Sequence, residues 1–132
     1  MRHAYEYALL RVVPRIERGE AINAGVLVYC RALDFLGARV YLDPTRLAML
    51  DADADAAAVA RALDAVAAGC ADRGTSAARH AGPAGDEDRG RRFRRLTAPR
   101  STVVQAGPVH TGITADPAAA LTHLLDTLVR SR

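Results

Sequence analysis

The sequence predicts an α+β domain: an antiparallel sheet of about four strands with two or three helices packed against it. Three observations carry this. The first forty residues hold three apolar runs separated by turn residues, the run at 56–68 is rich in alanine, and a leucine stripe of helical period lies near the C-terminus. At 132 residues the chain suits one domain, 1–132, with 70–90 read as a flexible loop. Such a chain buries roughly two-thirds of its unfolded surface, so it needs no metal or disulfide to hold it together.

Tyr5 to Val13 is apolar on both faces, Ala8, Leu10 and Val12 alternating with Tyr5, Tyr7 and Leu9. Such a strand belongs in the middle of a sheet or under a helix. Pro14 ends it, and Arg15–Glu20 forms a charged turn in which Gly19 is free to take positive φ. Ala24–Arg31 is the second strand, antiparallel to the first, and Asn23 and Gly25 at its start mark either a ligand contact or, the simpler reading, a bulge. Leu36–Leu42 is the third, with Leu36, Ala38, Val40 and Leu42 on one face. Asp43-Pro44 opens a short helix, with Leu47 and Leu50 facing inward. Asp51 to Asp55 interrupts it, as acids suited to a helix N-terminus rather than a calcium loop. Ala56–Ala68 is a second helix with Val59, Leu63 and Val66 as its stripe and Gly69 as its stop. Thr114-Ala-Asp116-Pro117 repeats the cap-and-proline start. Leu121, Leu124, Leu125, Leu128 and Val129 follow at helical spacing, as a face that covers the sheet.

Phe93 to Thr114 holds most of the chemistry. Ser101–Ala106 reads as a well-covered strand, with Arg100 before it and a Gly107-Pro108 loop after it that carries Val109-His110-Thr111-Gly112. Arg91–Leu96 adds a helical turn with Phe93 and Leu96 inward and Arg91, Arg92, Arg94 and Arg95 in water. Six arginines against three acids between 86 and 100 account for the whole net charge of +3. All eighteen basic residues are arginine, so no single arginine stands out as chosen over lysine. Cys30 reads as a core side chain and Cys70 as a thiol beyond a helix end, open to solvent, with no redox or metal spacing between them. No apolar run approaches the ~20 residues of a membrane span, and a cytoplasmic protein is expected.

Two blocks carry a resemblance. Tyr7-Ala8, Arg11-Val12-Val13-Pro14, Glu17-Arg18-Gly19-Glu20 and Asn23-Ala24-Gly25-Val26 form the first. Leu96 to Gln105 and Pro108-Val109-His110-Thr111-Gly112 form the second. Together they resemble the domain-of-unknown-function family DUF3037. The resemblance implies a bacterial protein of unassigned activity, in genomic neighbourhoods that hold HipA-like kinases, and hence an accessory role. Its matching positions make Arg11, Glu20, Asn23, Arg100, Ser101, Thr102 and His110 the candidate site, with Thr111 beside them.

Two functions of different class follow. The first is a non-enzymatic accessory domain that binds a protein partner, a HipA-like kinase, through the patch at 89–100. The second is an enzyme acting on a phosphorylated small molecule or nucleotide. In it Arg100 clamps the phosphate, the Ser101, Thr102 and Thr111 hydroxyls hold its oxygens, and His110 serves as general acid or base. No cofactor or metal is expected for either. Nucleic-acid binding through Arg89–Arg95 is a weaker third reading, because a single-strand platform wants several aromatics and that patch holds only Phe93.

Overall fold

The first three strands and the Asp43 and Asp116 caps form where the sequence places them, because each has a local cause. The computed structural model describes residues 1–71 and 88–130. Strands β1 (His3–Val12), β2 (Ile22–Cys30) and β3 (Phe35–Val40) come first, then helices α1 (Pro44–Leu50), α2 (Ala56–Cys70) and α3 (Arg89–Leu96). Strands β4 (Val104–Ala106) and β5 (His110–Thr114) follow. Helix α4 (Pro117–Leu124) comes next and runs into a π-helical turn at Leu125–Val129. The sheet is antiparallel in the order β3-β2-β1-β4, with β5 also on β1. The α+β reading and the meander of β1, β2 and β3 hold, and β1 sits inside the sheet as its two apolar faces require.

Four aspartates start the helices. Asp43 accepts from the Thr45 and Arg46 N–H groups, Asp55 from Ala58, Asp88 from Arg91, and Asp116 from Ala118 and Ala119. Each satisfies donors that have no partner within the first helical turn. Asp55 thus acts as a cap, as the acidic run predicts. Gly19 has φ of +70°. The β1–β2 register slips between Leu10 and Arg11, so that Leu10 faces Gly25 and Arg11 faces Asn23, which is the bulge expected there.

The sheet has two cores. On its first face Leu10, Val12 and Leu27 pack with Leu47 of α1, Val59 and Leu63 of α2 and Phe93 of α3. On its second face Val26 and Val28 pack under Leu121, Leu124, Leu125 and Val129. Burying a leucine or phenylalanine contributes ~1.5–3 kcal/mol, so these two clusters hold the layers together. No helix among the described residues is long and apolar enough to cross a membrane.

Several local expectations are corrected. The strand expected at 101–106 is only Val104–Ala106 and is half-exposed. The loop expected at Val109–Gly112 is largely strand β5. β4 pairs with Leu10–Val12 and β5 with His3–Tyr7, so the two lie end to end on the outer edge of β1. The α2 helix runs through Gly69, and Cys70 is its buried last residue rather than an open thiol. Arg92 is buried, its Nη1 donating to the Cys70 carbonyl at 3.2 Å. Leu128 leaves the leucine stripe, because the π turn, closed by the Arg130 N–H on the Leu125 carbonyl at 2.9 Å, inserts a residue and rotates it outward. Of the loop expected at 70–90, residues 72–87 lie outside the described residues.

Candidate functional site

The arginines of α3 meet the start of β1 and the β2–β3 turn in a cleft on the edge of the first face. It has a volume of about 560 Å³ and is lined by Glu6, Tyr29, Arg31, Asp34, Arg89, Arg91 and Arg94, with Asp88 and Gly90. That is within the range of ligand and partner clefts. Its walls are braced. Arg94 forks onto the Glu6 carboxylate, its Nη2 donating to Oε1 at 2.7 Å, and Arg89 pairs with Asp34, which the turn holds at φ of +50°. Asp tolerates that left-handed conformation better than most residues. Phe93 fastens the helix beneath, its ring stacked on Tyr29 at 5.5 Å between centroids. The Arg91 guanidinium is exposed, with a long 4.0 Å contact to Asp88, and the exposed Arg31 side chain makes no hydrogen bond or ion pair among the described residues. Two guanidinium groups therefore face solvent on a scaffold that two others fix.

The expected site residues are distributed around the sheet. Arg11, Asn23 and His110 share its second face. The Asn23 amide donates to the Leu128 carbonyl at 3.2 Å, and Arg46 donates to the Val129 carbonyl at 3.3 Å, so both complete the end of the π turn. His110 is exposed, its ring 5.3 Å from that of Tyr7. Tyr5 lies 6.0 Å from Tyr7, and burial, then the Tyr7 phenol, push its pKa up from the ordinary value. Glu20 pairs with Arg18 in the exposed β1–β2 turn, and that hydrogen bond holds its carboxyl below the usual range. Ser101 and Thr102 are exposed in the approach to β4, where the Thr102 hydroxyl donates to the Val104 carbonyl at 2.7 Å. Thr111, opposite Glu6, is exposed on the first face.

Arg100 and His110 do not meet. Arg100 donates to the Arg95 carbonyl at 3.3 Å, on the α3 side of the sheet, while His110 faces the other way. The Val13 N–H donates to the Val103 carbonyl, which puts residues 100–102 beyond the end of β1. His110 pairs with Tyr7, roughly 16 Å back along the strand.

The family model described as a protein of unknown function, DUF3037, matches residues 7–129. The chain belongs to the DUF3037 family. No curated protein and no solved structure matches it significantly. In this DUF3037 chain the cleft draws on Glu6, Tyr29, Arg31 and Asp34, which sequence reasoning missed. A carboxylate inside the apolar run of β1 was the available signal for Glu6. Arg31 and Asp34 sit in a turn whose neighbours only the fold supplies. Among the described residues no three His, Cys, Asp or Glu side chains converge as metal ligands would.

Proposed function

We propose that this DUF3037 protein is a non-enzymatic accessory domain that docks an acidic surface of a protein partner in the α3 cleft. The observation that carries the reading is the pair Arg31 and Arg91, presented to solvent while Arg89 and Arg94 are braced by Asp34 and Glu6. Solvent-facing positive charge on a braced scaffold steers an acidic partner and sets its register. The partner suggested by the family's genomic setting is a HipA-like kinase.

Mixing the purified chain with a purified HipA-like kinase tests the reading by size-exclusion chromatography. A complex is expected, weakened at least tenfold by Arg31→Glu with Arg91→Glu at an unchanged thermal midpoint. Because both side chains are exposed, the double variant should fold. A complex indifferent to the reversal refutes the cleft as the docking surface, and no complex between the purified proteins refutes that partner.

A further inference from the structure

On the second face of the sheet α4 and the π turn sit over β2 and β3. Tyr5, Tyr7 and Leu9 of β1 pack half-buried against the flank of that cover, and from there to the β4–β5 edge the face carries the row Tyr5, Tyr7, Leu9 and Arg11 with the exposed His110. Two glycines of this edge seat that row. The Tyr5 ring lies on Gly112, where a Cβ would come 2.5 Å from its Cζ, and the Arg11 guanidinium lies on Gly107, where a Cβ would come 3.1 Å from its Nε. Between them Tyr7 and His110 stand 5.3 Å apart, their planes tilted by 36°. The row of alternate β1 residues from His3 to Arg11 and their partners on β4 and β5 contains no carboxylate. The Arg11 side chain makes no hydrogen bond or ion pair among the described residues, and Gln105 stands opposite it.

From this row we infer that this part of the face is a platform for single-stranded nucleic acid, with bases stacked on Tyr7 and His110 and a phosphate met by Arg11. A sheet face with aromatic rings and a guanidinium plane supplies both interactions such a ligand needs, base stacking and backbone charge. The span from Tyr5 to Arg11 is roughly 20 Å. That is longer than one nucleotide, so the row fits a strand rather than a mononucleotide. A duplex keeps its base faces covered and offers them to no platform. The α3 cleft offers a single partly exposed ring, Tyr29, because Phe93 is fully buried.

Fluorescence anisotropy with a labelled ten-nucleotide single strand at 50 and 200 mM salt tests the inference. Binding is expected, stronger than to a duplex of the same length and weaker at the higher salt. His110→Ala, at an exposed position, should weaken it roughly 5- to 100-fold. Tyr7→Phe should retain it, and Arg11→Ala should lower the salt slope by about one. The inference is overturned by absence of binding at 50 mM salt, by equal affinity for the duplex, or by a mononucleotide competing as well as the strand. It is equally overturned if Arg31→Glu with Arg91→Glu abolishes binding while His110→Ala leaves it intact.

Discussion

Cys70 shows how a single side chain's chemistry is set by where its helix ends. Burial at the last turn of α2 pushes its thiol up to about 11, against the weaker opposing pull of Arg92 and Arg95. The folded thiol therefore holds its proton more tightly than the unfolded one. The associated stability is fully present below the unfolded value near 9 and is lost as pH rises through the folded value of about 11. Denaturant melts between pH 8 and 11 should show stability falling by at most about 1.4 kcal/mol per pH unit, with the fall reduced in Cys70→Ala. Gly112 gives a second test. Gly112→Ala drives a methyl group into the Tyr5 ring and should cost about 1–3 kcal/mol by thermal melting. The Tyr5→Ala background should remove most of that cost, whereas an unchanged loss there would place the strain in the backbone. At this scale the caps were legible, because Asp43 and Asp116 act on N–H groups two or three residues away. The state of Cys70 was not, because its cover comes from α3, some twenty residues on.

At the scale of elements, α3 depends on one ring. Five of its eight residues are arginine, and Phe93 is the side chain that seats it in the core. Phe93→Ala should cost about 3–5 kcal/mol by denaturant unfolding. Glu6→Gln, which weakens the fork of Arg94 at a partly exposed site, should cost no more than about 1 kcal/mol. The reverse order of effects would mean that charge rather than packing holds the helix. Periodicity found this helix but put Arg92 in water, since its partner is the Cys70 carbonyl of another helix. The sequence reads β5 as a loop for a related reason. Its glycine and the preceding proline look like punctuation, yet strand structure there comes from pairing with β1 more than a hundred residues earlier. Gly112 is used to seat a tyrosine, and no local pattern signals that.

For the whole molecule, the sheet separates two cores that share no buried side chain. Leu63→Ala and Leu124→Ala should each cost about 2–5 kcal/mol, and the double variant should match their sum within ~0.5 kcal/mol. A larger coupling by equilibrium unfolding would show that the two faces are not independent. The sequence alone determined the α+β class, the meander, the Asp43 and Asp116 caps and the leucine-rich helix, because each arises from forces between residues a few positions apart. Only tertiary structure decided that β4 and β5 share one edge, that the α3 arginines form a cleft with Glu6, Arg31 and Asp34, and that Arg100 and His110 lie on opposite sides of the sheet. Those outcomes depend on which distant backbones pair and which face each strand's alternation presents. A bulge or a glycine resets that alternation only once the strand has found its neighbour.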